Sequence, residues 1–289
     1  MTLIELVRRA ARQLKQSGVA FGHGTTNASD EAAWLVLWRL GVPLDQLDEV
    51  GGMAVSPQEC DCVFELINER IQSRKPAAYL TREAWLQGIP FYVDERAIVP
   101  RSFIAELIVD GTLDTWLSDA TQRVLDLCTG NGSLAVLAAM NWPEVTVDAA
   151  DISVAALEVA KINVDRHGMA DRVRLIHSDG LQSVAGPYDL ILCNPPYVNA
   201  DSMAQLPAEY LAEPTLALAG GADGMDFVRG LLAQGTAHLS AQGVLVLEIG
   251  NERAHFEAAF PRLEAVWLET SAGEDQVLLL TRESLERGP

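Results

Sequence analysis

Hydrophobic side chains at the start of the chain recur at the spacing of an amphipathic helix. The apolar positions of residues 3–14 are three or four residues apart, which predicts a first helix that ends near Gly18. Asn27 or Ser29 is placed to cap a second, more apolar helix, which Gly41 closes. The chain therefore begins with two predicted helices joined by a loop of small and polar residues.

A third helix follows, and then the pattern changes. Ser56-Pro57-Gln58-Glu59 combines a cap, a first-turn proline and a back-bonding glutamate, so we expect a helix from there to about Ser73. Aromatic and β-branched residues then cluster around Gly and Pro over residues 76–100, which suggests a β-hairpin linker that includes residues 77–81. We predict a helical domain over 1–75 that packs on the next domain or holds a partner, because about 75 residues make a marginal core.

From residue 122 onward, apolar runs of strand length alternate with helical patterns. We predict strands over 124–127, 145–150 and 173–176 and a fourth that ends at Asn194, with helices over 134–138 and 154–164. Such alternation implies a parallel sheet with right-handed crossovers, so the fold class is α/β and Rossmann-like over residues 101–289.

The last third of the chain is predicted to complete this sheet. Residues 199–224 form a loop too long for a simple connector, and we expect it to be a substrate-facing lid. A helix over 225–239 precedes a strand over 244–249, and segments 263–268 and 276–281 resemble an antiparallel pair. The tail from Glu283 onward is expected to be frayed.

The charge and cysteine content narrow the class of protein. A formal net charge of −19 over 289 residues is unfavourable for gripping a phosphate backbone and favours a basic partner. The four cysteines, at 60, 62, 128 and 193, lack zinc or disulfide spacing and predict free thiols in a cytosolic protein. The amino-terminal pattern is neither a signal peptide nor a membrane span, so we expect a cytoplasmic protein without a membrane partner.

Asn194-Pro195-Pro196-Tyr197 ends the fourth predicted strand with a rigid polar turn. The two prolines fix the backbone after a buried apolar run. The Asn194 side-chain oxygen and the Pro195 carbonyl can hold the two N–H groups of a planar amide or amino nitrogen, while Tyr197 stacks on its flat face. The turn is therefore a candidate site for a planar nitrogen nucleophile; a plain proline turn with Tyr197 as packing is the alternative.

The ends of the first three strands carry groups that suit a nucleotide-like cofactor. Asp126 to Gly132 form a glycine-containing strand-to-helix turn, but they lack the Gly-x-Gly-x-x-Gly of a dinucleotide site. Asp126 would repel a pyrophosphate and suits the cationic amino-acid end of S-adenosylmethionine. Asp151 is placed to accept both ribose hydroxyls and Asp179 to read the adenine amino group. Each acid taken singly is as consistent with a capping role, but four successive strand ends of this kind favour a methyltransferase.

At these residues the sequence resembles the class I S-adenosylmethionine-dependent methyltransferases, and more narrowly the protein-(glutamine-N5) methyltransferases. This resemblance implies a seven-stranded domain preceded by a small helical domain and a hairpin. Members of the family act on release factors or on 50S ribosomal protein L-three, and three motifs favour the ribosomal-protein branch: Glu83-Ala84-Trp85, Phe91-Tyr92-Val93-Asp94-Glu95-Arg96 and Leu206-Pro207-Ala208-Glu209-Tyr210.

The resemblance also implies site residues. Those that it implies contact S-adenosylmethionine are Cys128, Thr129, Gly130, Asn131, Gly132, Asp151, Gly180 and Asn194, and those that it implies hold the substrate glutamine are Asn194, Pro195, Pro196 and Tyr197. Asp126, Ile152 and Asp179 are further predicted cofactor contacts at the strand ends. Two positions depart from the family pattern. Cys128 replaces the glycine usual in the release-factor branch, and Arg82 replaces a glycine usual in the hairpin.

The expected reaction is direct methyl transfer to a glutamine side-chain nitrogen, with catalysis by positioning and desolvation and without a histidine base or a metal. Arg101 and Glu106 either border the substrate entrance or form an ordinary surface ion pair. The alternatives are methylation of release factors, methylation of a base amino nitrogen in RNA or DNA, and a ribosome-assembly factor that binds without turnover. Acidity argues against a direct nucleic-acid substrate.

Overall fold

The computed structural model describes residues 1–288, and its first part contains the three predicted helices and one further helical turn that was not predicted. They are α1 (Leu3–Ser17), α2 (Ala28–Leu40), the single turn α3 (Leu47–Val50) and α4 (Pro57–Ser73). Asn27, and not Ser29, caps α2 by accepting hydrogen bonds from two backbone N–H groups. Ser56 and Glu59 form the predicted capping box of α4, so these helix starts are set by local sequence.

The linker differs from the prediction in its first part. Residues 77–81 form a short helix, α5 (Ala77–Thr81), and the hairpin comes after it as β1 (Ala84–Leu86) and β2 (Ile89–Phe91). The expectation that 77–81 belong to the hairpin was wrong because Arg82 adopts a left-handed conformation with φ of 54° and closes a helical turn there. Glycine adopts the left-handed conformation without strain because it has no Cβ. Arg82 therefore takes the conformation expected of the glycine that the family resemblance implies at this position.

A seven-stranded sheet with the order β5-β4-β3-β6-β7-β9-β8 forms the second part of the molecule. Its strands are β3 (Arg123–Leu127), β4 (Thr146–Asp151), β5 (Val173–His177), β6 (Tyr188–Cys193), β7 (Leu239–Glu248), β8 (Val266–Thr270) and β9 (Gly273–Thr281). The first five of these run parallel, and β9 pairs antiparallel with both β7 and β8. The predicted Rossmann-like fold with a terminal antiparallel pair is confirmed.

Helices and apolar side chains cover both faces of this sheet. The helices are α6 (Ile104–Val109), α7 (Ser133–Asn141), α8 (Val154–Arg166), α11 (Asp226–His238), α12 (Arg253–Ala259) and α13 (Arg282–Glu286). Two short helices, α9 (Ala200–Met203) and α10 (Ala208–Leu211), lie in the loop over 199–224. Val124 and Leu190 point into one apolar cluster with α6 and α7, whereas Leu125 and Ile191 point into another with α11. This alternation buries both faces, as a parallel sheet requires.

A third apolar cluster joins the amino-terminal helices to the linker. Leu35 and Ile67 pack in it with Tyr79, Val93 and Val99, so the linker contributes side chains to the core of the helical part. The predicted boundaries at 75 and 100 remain a proposal about how the chain divides. No helix within residues 1–288 has the length and apolar character needed to cross a membrane.

The tail and the long loop are more ordered than predicted. Thr281 caps α13 and Leu285 is buried, so the expectation of a frayed tail was wrong for residues 283–286, while residue 289 lies outside the described residues. The loop over 199–224, called the lid loop below, contains α9 and α10.

Candidate active site

The register of the parallel strands brings the predicted motifs to one edge of the sheet. Leu127 in β3 lies beside Cys193 in β6, and Cys193 lies beside Leu247 in β7. Asn194, one residue later, therefore stands between the turn that follows β3 and Glu248, the last residue of β7. This is the carboxyl edge, where open α/β sheets bind their ligands.

Asp126 lies in the interior beneath the glycine turn. Its Oδ2 accepts hydrogen bonds from the Thr129 hydroxyl and from the Ala135 N–H at 3.0 Å. No group within residues 1–288 hydrogen-bonds to its Oδ1, although that atom is buried. Burial raises the pKa of Asp126 to about 7. An unpartnered buried carboxylate oxygen is the arrangement that a cationic ligand group would complete.

The turn itself is held by Asp151 at the end of β4. Its two carboxylate oxygens accept the N–H of Gly130 at 2.9 Å and the N–H of Ser153 at 2.8 Å. Burial raises the pKa of Asp151. Cys128 has a φ of 61°, so it too occupies a left-handed conformation in which glycine would be unstrained. Asp151 thus holds the turn through both oxygens, and each oxygen keeps a lone pair that can accept a hydrogen bond from a ligand hydroxyl.

A cavity of about 220 Å³ runs from these strand ends to the lid loop. Among the predicted site residues, its wall includes Cys128, Gly130, Asp151, Ile152, Asp179, Gly180, Asn194 and Pro196. The wall also includes Arg96, Ala97 and Ile98 of the linker and Pro214, Leu216 and Ala217 of the lid loop. The wall thus combines the predicted cofactor turn, the first residue of the Asn-Pro-Pro-Tyr turn and the loop expected to face substrate.

Within residues 1–288, six predicted site residues do not line this cavity: Asp126, Thr129, Asn131, Gly132, Pro195 and Tyr197. Asn131 is buried, and its carbonyl accepts a hydrogen bond from Asn163 at 2.8 Å. Gly132 packs on α8, where a Cβ would lie 3.0 Å from that of Ala160. Thr129 is tied to Asp126, and Pro195 and Tyr197 lie within the turn. Their predicted roles toward ligands remain predictions.

Tyr197 is fixed by groups that sequence reasoning did not identify. Its hydroxyl lies 3.4 Å from Glu248 Oε1, and its ring packs over Gly250, where a Cβ would lie 2.5 Å from a ring atom. Burial raises the pKa of Glu248 to about 7. Glu248 carries no motif of its own; the only available signal was an acid at the end of an apolar strand.

Buried ion pairs fasten the lid loop to the helical part. Arg70 donates to Glu31 and to Glu209 of α10, and Arg74 also contacts Glu209. Glu213 accepts two hydrogen bonds of 2.7 Å from Arg101, and its pKa is lowered to about 2 because the arginine charge outweighs burial. The Nε2 atom of His23 lies 3.2 Å from Oε2 of the same Glu213 carboxylate.

Arg101 and Glu106 are not a pair. Arg101 is bound to Glu213, whereas Glu106 accepts hydrogen bonds from the N–H and hydroxyl of Ser271. The alternative of a surface ion pair between them was therefore wrong, because the two side chains bind different elements, while the alternative that they border a substrate entrance stays a prediction. The partner of Arg101 is 112 residues away, beyond the reach of local pattern.

The chain is similar in sequence to known methyltransferases. A family model described as the methyltransferase small domain matches residues 110–218. The ribosomal protein uL3 glutamine methyltransferase of Bordetella pertussis is 55% identical over 98% of this chain and 96% of its own length. The protein of the same name from Neisseria meningitidis serogroup B is 48% identical over 98% and 94%. Among solved structures, the hMettl16 catalytic domain in complex with the MAT2A 3'UTR hairpin 6 matches with a TM-score of 0.52 at 14% identity, covering 78% of this chain and 81% of that one, and supports the fold alone.

Proposed function

The chain belongs to the family of the ribosomal protein uL3 glutamine methyltransferases, and we propose that it transfers a methyl group from S-adenosylmethionine to a glutamine side-chain nitrogen of uL3, the ribosomal protein L-three. The observation that carries the proposal is the Asn-Pro-Pro-Tyr turn, which enters the cavity wall next to the turn over 128–130. One cavity therefore joins groups suited to a cationic methyl donor and groups suited to a planar amide.

The residues present fit S-adenosylmethionine, which supplies an electrophilic methyl group on a sulfonium when bound. Asp126 offers its unpartnered Oδ1 for a cationic amino group, and Asp151 offers carboxylate lone pairs for ribose hydroxyls. Asp179 lines the cavity beside Gly180 and is placed for an adenine amino group. The acids favour a cation where a pyrophosphate would be repelled.

The glutamine amide is weakly nucleophilic because its lone pair is delocalised. Asn194 and Pro195 would accept its two N–H groups through the side-chain oxygen and the backbone carbonyl, which orients the nitrogen toward the methyl donor. Tyr197 would shield the amide from water. The nitrogen becomes acidic as the new bond forms, so solvent can take its proton and no histidine is required.

The partner in this proposal is a basic protein, and the setting is the cytoplasm, where ribosomal proteins are made. The net charge of −19 favours a basic protein over a nucleic-acid backbone. Association with uL3 should weaken as ionic strength rises from about 50 to 500 mM, because screening shortens the range of charge attraction. Binding measured by titration calorimetry that does not change with salt would contradict this part.

The decisive experiment supplies methyl-labelled S-adenosylmethionine with purified uL3 or with a peptide-chain release factor. We expect label on a glutamine of uL3, located by mass spectrometry, and none on the release factor. Label on the release factor alone would keep the chemistry and overturn the substrate. Label on neither protein, with transfer to ribosomal RNA, would overturn protein methylation.

A further inference from the structure

Glu248 ends β7 beside the strand that carries Asn194, and it is 2% exposed. Its Oε2 accepts the Ser102 hydroxyl at 2.6 Å and the Phe103 N–H at 2.9 Å. Its Oε1 lies 3.4 Å from the Tyr197 hydroxyl. The groups around this carboxyl are therefore donors, which favour its ionised form and offset part of the rise in pKa that burial causes.

The backbone and ring of Tyr197 are confined on the sides away from Glu248. A Cβ at Gly224 would lie 2.2 Å from the Tyr197 carbonyl oxygen, and one at Gly220 would lie 2.7 Å from its Cα. The ring rests on Gly250. The three glycines pack against the backbone and one side of the ring, so the hydrogen bond of the hydroxyl to Glu248 is the polar contact that sets the orientation of the ring.

We propose that Glu248 is a positioning residue for glutamine methylation, which holds Tyr197 through its hydroxyl and thereby fixes the Asn-Pro-Pro-Tyr turn against the substrate amide. The inference rests on the proposed function. Ser102 and Phe103 complete the arrangement, because they hold the carboxyl from the start of the segment that leads into α6.

The charged and titratable groups that act on this carboxyl are few. Arg101 lies near enough to favour its ionised form, and Tyr197 shares the hydrogen bond. Protonation of Oε1 would turn the charged acceptor of the Tyr197 hydroxyl into a neutral O–H group. Of the donors Ser102, Phe103 and Tyr197 to this carboxylate, Tyr197 is the one in the Asn-Pro-Pro-Tyr turn, so loss of the charge at acid pH should loosen the turn through Tyr197.

The main test is a double-mutant cycle in the full chain with E248Q, Y197F and the double variant, assayed on uL3 at saturating S-adenosylmethionine. We expect each single change to lower kcat by about tenfold. The kcat of the double variant should be no lower than that of the less active single variant, because the effects of coupled contacts are not additive. The Kd for S-adenosylmethionine, measured by calorimetry, should stay within about twofold.

Tyr188 and Asp148 provide a matched control near the opposite edge of the sheet. The Tyr188 hydroxyl donates to Asp148 Oδ2 at 2.7 Å, so this pair has the same chemistry away from the cavity. Y188F should leave kcat within about twofold, because a distant and independent contact does not couple to the site.

Independent losses that multiply in the double variant would overturn the proposal, as would E248Q with wild-type kcat. Should E248Q fail to fold, the pH profile of Y197F decides: wild-type kcat should fall on the acid side of neutrality, and this limb should vanish in Y197F. An unchanged limb in Y197F would overturn the inference. A wild-type protein that does not methylate uL3 would instead overturn the proposed function, before any variant is compared.

Discussion

Replacing Arg70 by methionine tests how firmly the lid loop is held to the helical part. Arg70 is fully buried, and its guanidinium donates to Glu31 at 2.9 Å, to Glu209 at 3.2 Å and to the Ala20 carbonyl at 2.8 Å. Methionine keeps much of the stem but removes the charge. Two carboxylates would then lose a buried partner, and Arg74 would be the cation that remains beside Glu209.

The expected cost is large because an uncompensated buried charge is involved. Removing one partner of a buried ion pair typically costs about 3–5 kcal/mol. We expect R70M to lower the free energy of unfolding by this amount in urea titrations followed by circular dichroism at pH 7. Limited proteolysis should also cut the lid loop of R70M faster than that of the wild type, because Glu209 lies in α10 of that loop.

Two further variants make the measurement specific. Lys161 is 67% exposed and pairs with Asp165 one helical turn away, so K161M should cost about 0.5 kcal/mol or less. The triple variant R70M/E31Q/E209Q removes the unpaired charges and should recover much of the loss. A loss for R70M below about 1 kcal/mol, or one equal to that of K161M, would refute the assignment of a buried anchor.

Four other predictions concern the site and the linker. Asn194→Ala should lower kcat by about 100-fold while the Kd for S-adenosylmethionine changes far less, because the loss is one of orientation; equal losses in kinetics and calorimetry would contradict this role. Asp126 has a pKa raised to about 7, so its charge appears as pH rises from 6 to 8; affinity for S-adenosylmethionine should increase over that range and become flat in D126N. The pKa of Asp126 is about 7 in the folded chain and 3.8 in the unfolded chain, so its contribution to stability is fully present below pH 3.8 and is lost as pH rises through about 7. Between pH 4 and 7, the Tm of the unliganded wild type should therefore fall relative to that of D126N. Arg82→Gly should raise the free energy of unfolding by up to about 1 kcal/mol, because it relieves a left-handed side-chain conformation at some entropic cost, and a clear loss in urea titration would show that the contact with the Tyr92 hydroxyl outweighs strain.

Features set by neighbouring residues were predictable from the sequence. The Ser56 capping box, the Asn27 cap and the apolar strands before Asp151 and Asn194 each depend on a few adjacent positions. Because parallel strands end at a common edge, the order of the motifs was enough to place them in one site.

Features set by distant contacts were not predictable. Glu213 and Glu248 look like ordinary acids until folding brings Arg101, Ser102 and Tyr197 to them across 112, 146 and 51 positions. Arg82 shows the limit at short range, since a left-handed arginine ends a helix where local propensity gives no stop signal. The missed parts are those in which tertiary partners decide the conformation or the charge.

The ion pair between Arg70 and Glu209 also has a consequence for synthesis of the chain. The two residues are 139 positions apart, so at 5–20 residues per second roughly 7 to 28 s separate their translation. Of the partners that the structure gives them, Arg70 has only Glu31 and the Ala20 carbonyl during that interval, and Arg74 has only the Ser17 and Gly18 carbonyls. The residues made first thus supply two arginines and one glutamate to this cluster, and the second glutamate arrives only with α10.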